Sequence, residues 1–436
     1  MTPSRSHSIP FFDYPYLFTS EEEDLVALFR DAGRRGAFIL QEDLARFESH
    51  LAAYLGVQHA LGVGNATDGL LIALRAAGIA AGDEVIFSSH TMVATAAAIH
   101  FAGAVPVPVE CGPDHLIDAA AAEEAITPRT RAILPTQLNG RTADMDALAR
   151  LAAQHDLAIV EDAAQALGSR FRGQAAGTFG AAAAFSFFPA KVLGCLGDGG
   201  AVTTNDAAIY DRMLQLRDHG RRADGEIVSW GLNSRLDNLQ AAILDHRLAA
   251  YGDAIARRRS LAGIYQDRLG QYRPGQDRLE LDRAAQDLLG QDIVGQNRPA
   301  QDRPRQDHSS QDRPAQDRLR QNRVARGGPG HLEELKLAPG PLDDADHFDI
   351  YQNYEIEAAR RDSLREHLKA RGIGTSLPWG GRAVHQWPQL GFRVRLPFTE
   401  ACFERMLLLP LNLSLTDDDV HYICDSIQDF YRGSAR

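Results

Sequence analysis

One stretch decides the fold, residues 159–206, which read IVEDAAQALGSRFRGQAAGTFGAAAAFSFFPAKVLGCLGDGGAVTTND. Short apolar runs here predict strands at residues 158–160, 183–187 and 200–204. Glu161 and Asp162 come directly after the first run, and Lys191 follows the second and precedes a glycine-rich loop. Because open α/β sheets bind their ligands at the carboxyl ends of strands, this spacing predicts that Lys191 lies beside a carboxylate at that edge of the sheet.

On both sides of this stretch, from about residue 22 to residue 250, helical patterns alternate with apolar strand-like runs. Further predicted strands are residues 84–88, 105–109 and 132–135, and the clearest predicted helices are residues 68–77, 93–101 and 145–155. The alternation predicts a layered α/β domain. Beyond it, a strand-like run at residues 348–358 and helices at residues 361–371 and 417–431 predict a smaller C-terminal α/β domain.

Charge and composition exclude several classes of function. The 436 residues include 58 acidic and 46 basic side chains, and a formal net charge of −12 argues against nucleic acid or an anionic membrane surface as a partner. No apolar run reaches the roughly 20 residues that span a bilayer, and no secretory signal pattern is present, so we expect a cytoplasmic enzyme. The four cysteines, Cys111, Cys195, Cys402 and Cys424, lack the spacing of a zinc site or a disulfide scaffold, and we expect buried thiols and no metal.

The segment at residues 266–325 differs from the rest of the chain in composition and in its regular repeat. It repeats a five-residue unit, beginning QDRLG, QYRPG, QDRLE and ending QDRLR, QNRVA. Because it is rich in Gln, Asp, Arg and Pro, it has too little apolar surface to offset the entropy of ordering, and the composition predicts an insertion that is disordered or forms a loose excursion on the surface. An expansion without function and a segment that binds a partner or modulates oligomerisation are both compatible with this pattern.

The pair of Asp162 and Lys191 suits the chemistry of pyridoxal phosphate. An ionised Asp162 would keep the pyridine nitrogen of that cofactor protonated, while Lys191 would bind its aldehyde covalently and carry the proton of the reaction. Taken singly, the two residues are better explained as a surface lysine and a helix-capping aspartate. Their joint context, with an apolar strand before each and a glycine-rich loop after the lysine, favours the cofactor site.

These motifs resemble those of the DegT/DnrJ/EryC1/StrS family of sugar aminotransferases, and the resemblance covers nearly the whole chain except the repeat tract. It implies that EDAAQ supplies the partner of the pyridine nitrogen, Asp162, and a further cofactor contact, Gln165. It implies that FSFFPAK supplies a phosphate-binding serine, Ser186, and the cofactor lysine, Lys191. The GDGG loop follows directly.

Three further segments extend the resemblance. In NATDGLLIAL it implies that Thr67 and Asp68 bind the cofactor phosphate at a helix N-terminus, where unsatisfied N–H groups suit a dianion. In SSHTMVAT it places Met92 on the face of the cofactor ring, at a position that is usually aromatic. In GLNSRLDNLQAAIL it implies that Asn233 reaches the phosphate of the neighbouring subunit, so that the enzyme is a homodimer with a composite active site.

Two residues are candidates for contact with substrate. The resemblance places His385, in GIGTSLPWGGRAVHQ, near the sugar nucleotide, and a purely structural role is equally compatible with a lone histidine. Arg235 has the chemistry to pair with a carboxylate of the amino donor. We also expect Asn233 and Ser234 to cap the helix that follows. Its core positions would be Leu236, Leu239 and Ile243.

The resemblance implies a fold-type-I transferase, similar to aspartate aminotransferase, with a mixed and mostly parallel sheet between helices. We expect an N-terminal arm and large domain at residues 1–250, a small domain at residues 251–265 and 341–436, and the insertion at residues 266–325. The expected reaction moves an amino group from an amino acid, glutamate in our interpretation, to a nucleotide-linked 3- or 4-keto-6-deoxyhexose. The product would enter deoxyaminosugar biosynthesis.

The sequence leaves two alternatives open and disfavours two others. An aminocyclitol precursor such as a keto-inositol is an alternative acceptor, and a non-catalytic cofactor-binding or interaction protein built around the repeats is an alternative class. A dinucleotide-binding dehydrogenase is disfavoured because GVGNATDG, at residues 62–69, has the wrong glycine spacing. Family members that dehydrate their substrate replace the lysine by histidine, and Lys191 argues against that branch.

Overall fold

A computed structural model describes residues 8–270, 335–337 and 344–433. Apart from Leu335, the described residues belong to one unit. The predicted insertion lies outside the described residues beyond residue 270, and the predicted boundary between a large and a small domain stays a prediction. None of the described helices combines the length and the apolar composition that a segment crossing a bilayer needs.

Strands and helices alternate between residues 59 and 162. The described strands are β1 (His59–Val63), β2 (Glu84–Ser88), β3 (Val105–Val109), β4 (Thr130–Leu134), β5 (Ala158–Asp162), β6 (Arg170–Phe171), β7 (Gln174–Ala175), β8 (Ala182–Ser186), β9 (Gly200–Thr204), β10 (Leu335–Lys336), β11 (His347–Phe348), β12 (Tyr354–Ala358) and β13 (Met406–Leu409). The described α-helices are α1 (Tyr16–Thr19), α2 (Glu22–Arg35), α3 (Glu42–Leu55), α4 (Ala66–Ala76), α5 (Val93–Phe101), α6 (Ala119–Glu124), α7 (Met145–His155), α8 (Ala207–Arg217), α9 (Asn238–Ala249), α10 (Tyr251–Leu269), α11 (Arg361–Ala370), α12 (Pro397–Arg405) and α13 (Asp417–Gly433).

Seven of the described strands form the central sheet, in the order β1-β9-β8-β5-β4-β2-β3. All neighbouring pairs from β3 to β8 are parallel, whereas β9 runs antiparallel to both of its neighbours, β8 and β1. This confirms the predicted mixed and mostly parallel sheet. The parallel order also brings the carboxyl ends of β5 and β8, the strands that precede the predicted site residues, side by side.

Both faces of the central sheet are covered. Ala184 and Phe185 are consecutive in β8, yet they belong to two different buried apolar clusters, because successive side chains of a strand point to opposite faces. One cluster includes α4 and the other includes α3 and α9, so helices pack on each face. A sheet buried on both sides leaves its strand ends as the exposed edge on which a site can be built.

The C-terminal part adds a small antiparallel pair, β12 and β13, with Tyr354 opposite Leu409. The pair packs with α11 and α12, and α13 lies against α10 and α11. Helix α10 continues through Leu269, so the first residues of the pentapeptide register are helical.

The predicted cap at the start of α9 was wrong. The helix begins at Asn238, and Asn233 and Ser234 lie before it in extended chain. Ser234 Oγ instead accepts a hydrogen bond from the Gly64 N–H at 3.0 Å, which ties this segment to the end of β1. Of the predicted core positions, Leu236 and Ile243 are buried, and Leu239 is partly buried.

Candidate active site

Lys191 lies in the turn that follows β8. Its backbone N–H donates to the Phe188 carbonyl at 2.8 Å, which closes the turn directly after the strand. Its side chain is partly buried and makes no hydrogen bond to any of the described residues. Burial lowers the pKa of Lys191 to about 8, although the carboxylate of Asp162 acts in the opposite direction. The structure therefore presents a free amine that is deprotonated more easily than an ordinary lysine.

Asp162 is the last residue of β5 and is 4% exposed. Its Oδ2 accepts a hydrogen bond from Thr95 Oγ1 at 2.7 Å, and its Oδ1 accepts one from the Ala164 N–H at 3.2 Å. Burial raises the pKa of Asp162, while Thr95, the Ala164 N–H and the charge of Lys191 lower it. The opposite charges of Asp162 and Lys191 act on each other's pKa, so the two groups lie within electrostatic reach of one another. Thr95, which lies in α5, was not found from the sequence.

Glu161 has a different task from its neighbour Asp162. It is fully buried and accepts four hydrogen bonds, from Gln137 Nε2 and from the N–H groups of Gly177, Phe179 and Gly180, at 2.7–3.0 Å. Burial raises its pKa against the effect of these donors. Consecutive residues of a strand face opposite sides, so Glu161 anchors the loop after β7 while Asp162 faces the site.

Gln165 is buried near the same strand end, at 7% exposure. Its Oε1 accepts a hydrogen bond from the Asn139 N–H at 2.8 Å. Asn139 has a positive φ of 55°, and its side chain accepts a further hydrogen bond from Asn353 Nδ2 at 2.9 Å. Gln165 is thus held by its carbonyl oxygen, and its amide nitrogen has no partner among the described residues.

The N-terminus of α4 lies against the start of β9. A Cβ atom on Gly200 would be 2.7 Å from the Asn65 carbonyl carbon and 2.9 Å from the Ala66 nitrogen, so only glycine allows this approach. Ser186 is opposite Gly200 in the register of β8 and β9, which brings its hydroxyl to the same place. The first N–H groups of a helix have no intrahelical partner and favour an anion.

Within this helix start, Asn65 is the N-cap. Its Oδ1 accepts from the Asp68 N–H at 2.9 Å, and its Nδ2 donates to Asp68 Oδ2 at 3.1 Å. Asp68 is therefore turned back toward Asn65, and Thr67 lies between them, partly buried. The sequence contains a signal for this N-cap, because an asparagine three residues before an acidic residue is typical of a helix start.

Met92 precedes α5 and is 45% exposed. Its sulfur accepts a hydrogen bond from the Ala94 N–H at 3.0 Å. Thr95, one turn further along, binds Asp162, so Met92 stands at the same end of the site as that carboxylate. Its proposed contact with a cofactor ring stays a prediction.

Asn233, Arg235 and His385 lie in different surroundings. Asn233 is exposed, and Arg235 pairs with Asp218 at 3.1 Å. His385 is 7% exposed, with Nδ1 2.7 Å from Ser89 Oγ and Nε2 3.3 Å from Glu400 Oε1. Both ring nitrogens of His385 thus have protein partners, which supplies it with a structural role, and its contact with substrate stays a prediction.

Among the described residues, one cluster has the chemistry of metal ligands. His115, Glu357 and Cys402 offer ligand atoms within 4.8 Å of one another. Both nitrogens of His115 are already hydrogen-bonded, to Glu355 and Glu357, and Lys336 donates to Glu357 at 2.7 Å. These charges neutralise one another without an ion. The four cysteines are buried free thiols, as expected.

The residues at the strand ends fit pyridoxal phosphate by their chemistry. An unpartnered amine, a buried carboxylate fixed by Thr95 and a helix N-terminus with free N–H groups suit an aldehyde, a pyridinium nitrogen and a phosphate respectively. A model of the DegT/DnrJ/EryC1/StrS aminotransferase family matches residues 19–289 and 331–428. The chain belongs to this family. It is accordingly an aminotransferase that depends on pyridoxal phosphate.

Two relatives and one crystal structure are similar to this chain over nearly its whole length. The chain is 47% identical to a dTDP-3-amino-3,4,6-trideoxy-α-D-glucose transaminase of Streptomyces venezuelae over 97% of this chain and 96% of the relative. It is 32% identical to a pleiotropic regulatory protein of Geobacillus stearothermophilus over 98% and 100% of the two chains. The crystal structure of S. venezuelae DesV, with a ketimine intermediate, superposes with a TM-score of 0.80 at 34% identity, covering 97% of this chain and 98% of that one.

Proposed function

We propose that this aminotransferase moves an amino group from glutamate to the keto group of a dTDP-linked 3-keto-deoxyhexose, in deoxyaminosugar biosynthesis. One observation carries the proposal. The 47% identity to the S. venezuelae transaminase extends over 97% of the chain, and the free amine of Lys191 lies beside Asp162 in that shared framework. That relative is named as a dTDP-3-amino-3,4,6-trideoxy-α-D-glucose transaminase.

When bound, pyridoxal phosphate supplies an aldehyde for amino groups and a ring that withdraws electrons from the reacting carbon. The chain supplies the proton transfers. Since burial brings the pKa of Lys191 to about 8, its amine exists in both protonation states near neutral pH and can take up and return a proton. No described side chain competes for that amine by hydrogen bonding.

Asp162 and its partners would hold the ring nitrogen. The Thr95 hydroxyl and the Ala164 N–H fix the carboxylate from two sides, so it has little freedom to turn away. Burial removes the water that would otherwise stabilise the charge of Asp162. A positive charge on the ring nitrogen would take the place of that water and keep Asp162 ionised. Gln165 would lie at the side of the ring, held through Asn139.

The phosphate would bind where α4 begins. The free N–H groups of the first turn, the Thr67 hydroxyl and Ser186 are the donors proposed for it, and Gly200 lets them come together. We propose that Asn233 of a second subunit completes this site in a homodimer. Its exposure, three residues from the exposed Trp230, supports that arrangement. We also propose a cytoplasmic location for the enzyme.

The test is absorbance from 300 to 500 nm of the purified protein with pyridoxal phosphate. We expect glutamate to convert the cofactor band to that of its aminated form, and one dTDP-3-keto-sugar from a panel to restore it. The panel includes 4-keto-sugars and a keto-inositol, either of which would redirect the substrate assignment if it alone restored the band. Lys191→Ala is the control and should bind cofactor without the cycle.

A regulatory role is named for the Geobacillus relative, and the same measurement addresses it. A protein that binds pyridoxal phosphate at Lys191 but shows no change with any amino donor would sink the aminotransferase proposal for this chain.

A further inference from the structure

Gln352 holds the two peptide groups on either side of Lys191. Its Nε2 donates to the Ala190 carbonyl at 2.8 Å, and its Oε1 accepts from the Val192 N–H at 3.0 Å. The Ala190 carbonyl belongs to the peptide group before the Lys191 Cα, and the Val192 N–H belongs to the one after it. Because peptide groups are planar, fixing both of them fixes the direction of the Lys191 Cα–Cβ bond.

We propose that Gln352 is a positioning residue that aims the reactive amine of Lys191. The statement that the Lys191 amine is reactive rests on the proposed function. The hydrogen bonds on which it is built do not depend on the identity of the substrate.

Gln352 can serve this purpose because it is itself immobilised. It is 4% exposed, and its carbonyl accepts from Arg258 Nη2 at 2.6 Å, while Arg258 Nε donates to the Tyr351 carbonyl at 2.8 Å. Its backbone nitrogen lies so close to Gly140 that a Cβ there would be 2.7 Å away. A buried arginine and a backbone contact therefore hold the segment from both sides.

The same segment also reaches the other side of the site. Asn353 donates to the Asn139 side chain at 2.9 Å, and the Asn139 N–H donates to Gln165 at 2.8 Å. Consecutive residues thus contact the backbone around Lys191 and the support of Gln165. A shift of this segment would change the spacing between the amine and the side of the cofactor site.

Loss of the two hydrogen bonds has a specific expected consequence. The Lys191 backbone would be free to turn, and its amine would gain access to water. Hydration favours the ammonium form, so the pKa of Lys191 would rise from about 8 toward that of an exposed lysine.

The sequence makes this measurable, because the chain has only three lysines, Lys191, Lys336 and Lys369. Reductive methylation with ¹³C-formaldehyde of the cofactor-free protein gives a separate NMR signal for each, and titration gives each pKa. In Gln352→Met we expect the Lys191 midpoint to rise by about one pH unit, a tenfold change in protonation equilibrium, with the other two signals unmoved.

Gln240 offers a matched control. Its carboxamide accepts from the Leu196 N–H at 2.9 Å and donates to the Leu196 carbonyl at 3.3 Å, in the same loop but away from the lysine. Gln240→Met removes the same kind of contact and should leave the Lys191 midpoint in place. An unchanged midpoint in Gln352→Met, or an equal rise in Gln240→Met, would overturn the proposal.

A milder variant covers the case in which Gln352→Met does not fold. Gln352→Asn keeps the amide but is one methylene shorter, so it can satisfy only one of the two peptide groups, and we expect a smaller rise of the same sign. In the cofactor-loaded enzyme both variants should lower kcat about tenfold or more while KM for glutamate stays within about twofold. If the wild type aminates no keto-sugar, the proposed function fails, whereas the lysine titration still decides the role of Gln352.

Discussion

At the scale of single residues, Lys191 and Asp162 carry opposite charges, and burial disfavours the charged form of each side chain. Burial lowers the pKa of Lys191 to about 8, and the Asp162 carboxylate partly offsets this. Asp162→Asn removes only the offsetting charge, so we expect the pKa of Lys191 to fall below 8 in the cofactor-free protein. The three-lysine titration measures it. Asp211→Asn, at an exposed position of α8, is the control and should have no effect.

The residues proposed to carry the chemistry were found from the sequence, whereas the residues that hold them in place were not. Asp162 and Lys191 lie within 30 residues of each other, and each follows a strand pattern. The sequence therefore indicated that the two side chains could act together on one cofactor. The side chains that support the site are Thr95, Asn139 and Gln352. Each is far along the chain from the site residue that it contacts, so a local sequence pattern could not have linked the two. Supporting side chains of this kind require the tertiary structure.

At the scale of elements, the cap of α4 couples the stability of the helix to cofactor affinity. Asn65→Ala removes the hydrogen bond to the Asp68 N–H, and we expect the free energy of unfolding to fall by about 1 kcal/mol. Because the free N–H groups beside Asn65 are the proposed phosphate site, affinity for pyridoxal phosphate should fall as well.

Asp206 supplies the comparison for this cap, since it accepts from the Ala208 and Ile209 N–H groups at the start of α8. Asp206→Ala should cost a similar stability in thermal unfolding and leave the cofactor affinity, measured by fluorescence titration, unchanged. Equal losses of affinity in the two variants would rule out a specific role for α4.

A second element, β12, is tied to the loop at residue 115 by an ion network. His115 Nδ1 lies 2.5 Å from Glu355 Oε1, and its Nε2 lies 2.9 Å from Glu357 Oε1, while Lys336 and Arg405 also approach Glu357. Burial alone would lower the pKa of His115, but the two carboxylates outweigh it and raise the pKa to about 9.

The sign of the resulting pH dependence follows from linkage. The folded pKa of about 9 exceeds the unfolded value of about 6.5, so the stabilisation is complete below pH 6.5 and is lost as pH rises to about 9. We expect urea unfolding to show stability falling across that window, and His115→Gln to flatten the dependence. A His115→Gln variant with the wild-type slope would assign the dependence to other groups.

The elements themselves were predicted unevenly. The bounds of β2, β3 and β9 agree with the sequence patterns, because each is a clear apolar run between turn residues. Strand β1, which reads HALGV, was missed. The start of α9 was placed too early because Ser234, a typical capping residue, binds Gly64 instead.

At the scale of the whole molecule, an exposed apolar loop indicates where a second subunit would pack. Trp230 is 94% exposed, Ile227 is 65% exposed and Val228 is 43% exposed, all within six residues of Asn233. Buried aromatic anchors dominate subunit interfaces, so we expect Trp230→Ser to weaken the dimer by about 2 kcal/mol or more, roughly 30-fold in Kd. Sedimentation velocity measures the change.

Phe101, at the end of α5 and 60% exposed, provides the corresponding control. Phe101→Ser removes a similar exposed ring far along the chain from Asn233, and it should leave the sedimentation of the protein unchanged. A monomeric wild type would contradict the proposed dimer directly.

The position of β1 has a consequence for how the protein is made. His59 pairs with Thr204, and among the strands that the structure describes β1 pairs only with β9 in the central sheet. On a translating ribosome, β1 emerges first and must wait until β9 has been synthesised, on the order of 10 s at about 5–20 residues per second. During that interval its unpaired edge is open to other nascent chains, so chaperone dependence in vivo should centre on the first 200 residues.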